Sequence, residues 1–250
     1  MNSPENRPST ELVAVVTGGL GGIGRAVVNR LGADGYSVTA FDVVNAADTS
    51  GSAAVHVDVT EAASLRAAIA AVVSVQGRLD VVVNCAGTAY RGSFEETSVE
   101  AFMGDVRTNL LGTFLMCQAA VFPHMKSAGS GGLINIASIS GKRGGIGPVD
   151  PTGAGGRTGA GYAASKAGVL NLTRWIAREV GPLGIRCNAI APGMVRTPMT
   201  EGHRYELDDV PLGRPGGAEE IADAVAWLAG PGSTYVHGAV IDVDGGLVRA

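Results

Sequence analysis

Apolar side chains along this chain come in two rhythms. Short runs rich in valine, isoleucine and alanine recur at Leu12–Thr17 (LVAVVT), Ser37–Asp42 (SVTAFD), Ala53–Asp58 (AAVHVD), Asp80–Asn84 (DVVVN), Leu133–Ser138 (LINIAS), Ile185–Ile190 (IRCNAI) and Ala239–Val243 (AVIDV). They are nearly continuous rather than alternating, which predicts strands covered on both faces. Between them lie longer stretches of helical character, Ile23–Ala33, Glu61–Gln76, Val99–Met125, Tyr162–Val180 and Ala218–Ala229. Thr60 and Ser98 are suited to cap the second and third, and the Gly-Pro pairs at 181–182 and 230–231 to stop the fourth and fifth. The alternation predicts an α/β fold: a Rossmann-like, doubly wound parallel sheet of about seven strands with helices on both faces. No internal repeat or linker divides it. Residues 11–250 are expected to form one domain, behind a polar N-terminal tail, residues 1–10, that is expected to be disordered.

Composition narrows the class. A hydrophobic fraction of 46 % over 250 residues supports a sizeable core. The net charge of −4 and scattered Lys and Arg leave no basic stripe, so nucleic acid is not an expected partner. No apolar run approaches the ~18 residues of a membrane span, and the N-terminus lacks the apolar core of a secretory signal. Cys85, Cys117 and Cys187 are odd in number and form no CxxC, which fits reduced thiols in a cytoplasmic protein and no zinc site. The four histidines, His56, His124, His203 and His237, have no metal spacing and are expected to be structural or surface residues, with a substrate contact as the alternative for His203.

TGGLGGIG (Thr17–Gly24) follows the first predicted strand and opens the first helix. In that context the glycines make a dinucleotide site: Gly18 permits the turn, Gly22 lets backbone approach a pyrophosphate, and Gly24 lets helix and strand pack closely. The helix N-terminus supplies N–H groups and a favourable dipole. Asp42 ends the second strand, where a carboxylate accepts the adenosine ribose hydroxyls of NAD and repels the 2′-phosphate of NADP. No basic residue follows it, and Gly21 brings none to the turn, so NAD is the expected cofactor.

These pieces, with DVT (Asp58–Thr60), NCAG (Asn84–Gly87), Asn109 in TNLLGTF, NIAS (Asn135–Ser138), YAASK (Tyr162–Lys166), PGMVRT (Pro192–Thr197) and VDGG (Val243–Gly246), resemble the short-chain dehydrogenase/reductase family over nearly the whole chain. The resemblance implies a catalytic group of Asn109, Ser138, Tyr162 and Lys166. It implies cofactor contacts from Gly18, Leu20, Gly21, Gly22, Ile23 and Gly24, and from Asp42, Asp58 and Val59 around the adenosine. Asn84, Ala86 and Gly87, then Tyr162 and Lys166, and finally Pro192, Gly193, Val195 and Thr197 would complete the set, the last group cradling the nicotinamide. Cys85 departs from the commoner asparagine and is expected to point into the sheet without consequence. A homotetramer, or a homodimer, built partly through the helices of Val99–Met125 and Tyr162–Val180, is implied by the resemblance alone.

The expected chemistry interconverts a secondary alcohol and a ketone. A free tyrosine titrates near 10, too high for acid/base work near neutrality. Lys166, at i+4 from Tyr162, favours the phenolate. Ser138 would donate to the reacting oxygen, and Asn109 would hold a water linking Lys166 to solvent. Two alternatives stand beside this reading: an NADPH-linked 3-oxoacyl thioester reductase, and a dinucleotide-binding sensor or scaffold without turnover.

One stretch departs from the family. Ser138 and Tyr162 stand farther apart than usual, with nine glycines among the 23 residues between them. Ser140 is therefore an alternative to Ser138, on the same side if the strand continues. The insert either borders the substrate pocket, compensating for a short segment after Thr197, or is a solvent-facing bulge. Its cations Lys142, Arg143 and Arg157 either draw an anionic substrate group or are solvated loop charges. Ala89, Tyr90, Ile139, Met194 and Met199 are candidate pocket residues and imply an aliphatic, alicyclic or aromatic substrate body.

Overall fold

A computed structural model describes residues 11–44, 54–147, 157–201 and 207–248. Seven strands form one parallel sheet: β1 (Val13–Thr17), β2 (Ser37–Asp42), β3 (Ala54–His56), β4 (Val81–Asn84), β5 (Gly131–Ile136), β6 (Ile185–Pro192) and β7 (Val240–Val243), in the spatial order β3-β2-β1-β4-β5-β6-β7. Their period of two sorts the apolar side chains into two cores. Val13 and Val15 of β1 join Leu65, Met116 and Ile176 on one face, and Ala14 and Val16 join Val27, Ile221 and Val225 on the other. The helices covering them are α1 (Gly22–Ala33), α2 (Ala62–Gln76), α3 (Val99–Asp105), α4 (Gly112–Ala120), the short α5 (Lys126–Ala128) and α6 (Ser140–Arg143), α7 (Ala160–Val180) and α8 (Ala218–Ala229). The result is the single Rossmann-like α/β domain expected. Strand order reverses between β1 and β4, which opens a crevice at the strand C-termini where such sheets bind ligands.

Local differences have local causes. Thr60 caps no helix, because its N–H and hydroxyl both bond Asp58 Oδ1 at 2.8 Å, and α2 begins after Glu61 instead. Ser98 does cap α3, its Oγ accepting the Ala101 N–H at 3.1 Å. The expected helix over 99–125 runs on to Ala128 but contains two π-helical turns, Val106–Leu111 and Val121–Met125. Phe122, at φ −115 and ψ 115, leaves the helical region because Pro123 follows it. β5 ends at Ile136, two residues before Ser138, and Ser140 starts α6, so strand alternation does not relate the two serines. The N-terminal tail and His203 lie outside the described residues.

Candidate active site

A cavity of about 1210 Å³ occupies the crevice. That exceeds the ~300–1,000 Å³ of an ordinary small-molecule pocket and leaves room for a dinucleotide together with a substrate. One end is built from the glycine turn. Gly18 has φ +63, and a Cβ on it would come within 2.8 Å of the Ala86 backbone. A Cβ on Gly24 would overlap the Gly18 carbonyl, so only glycine lets α1 start this close to β1. Gly22 lines the cavity, and a Cβ on it would meet the Thr197 side chain at 2.7 Å, so this glycine also admits the opposite wall of the cleft. The N-cap of α1 is Gly21, which offers no side-chain acceptor. The first N–H groups of that helix therefore remain for an anion in the cavity, a fit to the phosphates of a dinucleotide. Asp42 accepts the N–H of Leu20 at 3.0 Å through Oδ2 and that of Val44 at 3.2 Å through Oδ1, which holds its carboxylate at the cavity wall. Leu20, Gly21, Ile23, Asp58, Val59, Ala86 and Gly87 complete this half, and Pro192, Gly193, Val195 and Thr197 face it.

The other half gathers Ser138, Tyr162 and Lys166. Tyr162 and Lys166 share one face of α7, with Nζ 5.7 Å from the tyrosine ring centroid. Lys166 is only 5 % exposed, and its Nζ donates to the Ile136 carbonyl at 2.7 Å. Burial pulls it down from 10.5 to about 8, against the opposing influence of Cys85 and Asp105. Ser138 Oγ accepts the Ser140 N–H at 3.1 Å, which leaves the Ser138 hydroxyl proton to donate elsewhere. Cys85 is in the cavity wall and also packs on the core; desolvation pushes its thiol up to about 12, so it stays protonated.

Four expected site residues, Asn84, Asn109, Tyr90 and Ile139, are not in the wall. Asn84 is buried at the end of β4, where Nδ2 donates to Asn135 Oδ1 at 2.8 Å and to Cys117 Sγ at 3.4 Å. Its Oδ1 is buried without a partner among the described residues. Asn109 is fully buried in the first π turn, and its amide is engaged by Thr88 on both sides and by Ser165 Oγ at 3.0 Å. Tyr90 is half-exposed; its neighbours Ala89 and Arg91 face the cavity in its place. Ile139 is buried in a third apolar cluster with Met194, and Met194 and Met199 also reach the wall.

The ends of the glycine-rich insert are tightly built. The Ile146 N–H donates to Thr158 Oγ1 at 2.9 Å and the Thr158 N–H to the Ile146 carbonyl at 3.0 Å, closing a neck. Arg157 Nη2 bonds the Gly144 carbonyl at 2.8 Å, Lys142 pairs with Asp242 at 2.6 Å, and Arg143 lies 3.9 Å from Asp209. These three cations thus fasten the insert and line no part of the cavity, whereas Arg91 and Arg107 do. A Cβ on Gly141 would approach the Ala167 nitrogen to 2.5 Å, so this glycine marks close packing of α6 on α7 rather than looseness. Ile146, Gly147 and Thr158 belong to the cavity wall. Residues 148–156 are outside the described set.

The sequence reading missed Thr88 and Asp105. Asp105 is 2 % exposed and accepts the Thr88 hydroxyl at 2.7 Å. The available signal was an acidic residue one turn before Asn109 inside an apolar helix. Among the described residues no cluster of metal-ligating side chains occurs, and no helix is long and apolar enough to cross a membrane.

Comparison with known proteins adds an independent finding. A family model described as enoyl-(acyl carrier protein) reductase matches residues 18–248. The (3R)-3-hydroxyacyl-CoA dehydrogenase of Mus musculus is 40 % identical over 258 residues, covering 94 % of this chain and 95 % of the mouse protein. The trans-4-hydroxycyclohexanecarboxylate dehydrogenase of Sinomonas cyclohexanicum is 38 % identical over 252 residues, covering 94 % and 92 %. The crystal structure of 3-ketoacyl-(acyl-carrier-protein) reductase from Brucella melitensis, complexed with NADH, is similar with a TM-score of 0.83 at 29 % identity, over 94 % of this chain and 98 % of that one.

Proposed function

The chain belongs to the short-chain dehydrogenase/reductase family, whose relatives here are oxidoreductases of secondary alcohols and ketones that use a nicotinamide dinucleotide; from that premise we propose that its cofactor is NAD and that Asn109, Ser138, Tyr162 and Lys166 carry its reaction. The observation that supports NAD is the Asp42 carboxylate at the end of β2, anchored by the Leu20 N–H at 3.0 Å. A second negative charge beside it, such as a 2′-phosphate, would be repelled.

Bound nicotinamide supplies the hydride chemistry. Tyr162 gives a proton to the ketone oxygen or, as phenolate, takes one from the alcohol. The Lys166 ammonium favours that phenolate electrostatically. Ser138, with its Oγ already accepting from Ser140, donates its hydroxyl proton to the same oxygen as charge develops. Asn109 holds Thr88 and Ser165, the latter adjacent to Lys166 in α7. Ala89, Ile146, Met194 and Met199 offer apolar surface to an aliphatic or alicyclic substrate body. A second reading, a 3-hydroxyacyl thioester as substrate, is favoured by the likeness to the mouse and Brucella proteins.

We also infer a homo-oligomer, because Phe122 and Trp175 are 50 % and 57 % exposed on the helices that the resemblance assigns to subunit contact; light scattering on the eluted protein tests it. The function is tested by NAD⁺ reduction over a panel including trans-4-hydroxycyclohexanecarboxylate, other cyclic and linear secondary alcohols, and 3-hydroxyacyl-CoA. Turnover of an alcohol that Tyr162→Phe abolishes is the expected result. Tighter binding of NADPH than NADH would overturn the cofactor assignment, and NADH binding without any turnover would point to a sensor.

A further inference from the structure

One short segment is held from three sides by two residues a helical turn apart. Asp105, the last residue of α3, and Asn109, in the π turn that follows, stand at i and i+4. Asn109 Oδ1 accepts the Thr88 N–H at 2.9 Å, and its Nδ2 donates to the Thr88 carbonyl at 3.0 Å. Asp105 accepts the Thr88 hydroxyl at 2.7 Å through Oδ1 and the Tyr90 N–H at 3.2 Å through Oδ2. The Tyr90 carbonyl in turn accepts the N–H of Gly159, the N-cap residue of α7, at 2.9 Å. Thr88 and Ala89 are cavity wall. A chain of hydrogen bonds therefore runs from Asp105 through the substrate side of the cavity to the start of the helix that carries Tyr162 and Lys166.

Charge gives Asp105 a second consequence. A carboxylate 2 % exposed is costly unless its charge is compensated. Lys166 is a buried cation beside the same segment: a Cβ on Gly87, the residue before Thr88, would stand 3.0 Å from Asn109 Oδ1 and 3.7 Å from Lys166 Nζ. The groups favouring the Lys166 ammonium are Cys85 and Asp105. Cys85 stays a neutral thiol until about 12, so near neutrality the carboxylate carries that influence. Tyr162 faces Lys166 from its own helix. Of the groups on β6 and α6, Arg186 and Cys187 bond Ser233 and Asn135, and Lys142 and Arg143 pair with Asp242 and Asp209; Arg107, in the π turn packed on α7, and Arg91 line the same cavity as Lys166 and add positive charge on that side.

We propose that Asp105 is a positioning residue of the reaction, which fixes the Thr88–Tyr90 wall of the substrate pocket against α7 and supplies the buried negative charge that keeps Lys166 an ammonium. This rests on the dehydrogenase reading, so the wild-type enzyme must first turn over an alcohol of the panel. If it does not, that reading fails, while the Lys166 titration, followed by heteronuclear NMR at Nζ, still decides the charge part.

Asp105→Asn and Thr88→Val separate the two roles. In Asp105→Asn the KM for substrate rises about fivefold, the loss of one hydrogen bond of ~1 kcal/mol. The alkaline limb of ketone reduction and the Nζ titration both fall by about one pH unit, as expected on removing a neighbouring opposite charge. In Thr88→Val the KM rises similarly and the limb stays in place. An unchanged Nζ titration in Asp105→Asn overturns the charge role, and an unchanged KM in Thr88→Val overturns the wall. If Asp105→Asn does not fold, Asp105→Glu decides: a raised KM with the limb at its wild-type pH supports the proposal, and an unchanged KM or a displaced limb refutes it.

Discussion

Lys166 carries a measurable cost that can be isolated from every other titration in the molecule. Lys166→Met keeps most of the side-chain length and removes the charge. In the folded chain burial holds the ammonium at about 8 instead of 10.5. The folded value lies below the unfolded one, so between these two values the unfolded chain binds more protons, and the stability contributed by this site rises with pH through that window. Well below pH 8 the buried ammonium costs the fold about 3.5 kcal/mol, from the difference between 10.5 and about 8 at ~1.4 kcal/mol per pH unit. By pH 10 most of that cost is gone. Relative to Lys166→Met, the wild type is therefore expected to gain about 2.5 kcal/mol of unfolding free energy between pH 7 and pH 10. The shared acid–base background cancels in the difference. Urea unfolding of both proteins at equal concentration and at several pH values reads this as a relative midpoint shift of about 1 M, for a slope of ~2–3 kcal/mol per molar. A difference that is flat or falls with pH would refute the argument, because it would mean that the ammonium is not desolvated in the fold.

Other outcomes follow from single contacts. Ser138→Ala is expected to lower kcat about 10²- to 10³-fold, as for loss of an oxyanion donor, whereas Ser140→Ala keeps the backbone N–H to Ser138 and lowers kcat only a few-fold; equal losses would reverse the assignment. Asp42→Ala removes the anchor of the Leu20 N–H and the carboxylate proposed to accept the ribose hydroxyls, and NADH binding followed by fluorescence is expected to weaken at least about tenfold, the scale of one or two hydrogen bonds to a charged group. Gly141→Ala places a Cβ 2.5 Å from the Ala167 nitrogen and is expected to cost about 1–3 kcal/mol in unfolding experiments. Gly144→Ala, at φ +70 with open space around it, is expected to cost about 1 kcal/mol, and a larger loss there than at Gly141 would contradict the packing argument.

The strands, their parallel order of alternation with helices, and the glycine turn were legible because burial on both faces imposes continuous apolar runs, and because a strand-turn-helix with glycines at 18, 22 and 24 has few other uses. What the sequence hid was set by contacts across the fold. Thr60 looks like a cap until Asp58 competes for it two residues away. Ser140 looks like a continuation of β5 until α6 begins there. The cations at 142, 143 and 157 look like ligand anchors until Asp242, Asp209 and the Gly144 carbonyl claim them. Glycine frequency misled in the same way, since Gly141, Gly159 and Gly161 would each bring a Cβ within 2.5–2.7 Å of backbone atoms in other segments. Asp105 was hidden for the converse reason. A buried carboxylate announces itself only by its partners, and Thr88 is 17 residues away.

The neck between Ile146 and Thr158 has a consequence for how this enzyme could be altered. Two reciprocal hydrogen bonds seal it, and the anchors of Ser138 and Tyr162 lie on the protein side of that seal. With those bonds kept, a change in the length of the chain between 147 and 157 is expected to leave the separation of the reacting groups as it is. Because Ile146, Gly147 and Thr158 line the cleft themselves, exchanging the chain joined through this neck is expected to change substrate preference, read as kcat/KM over the alcohol panel, while the proton-transfer groups keep their places.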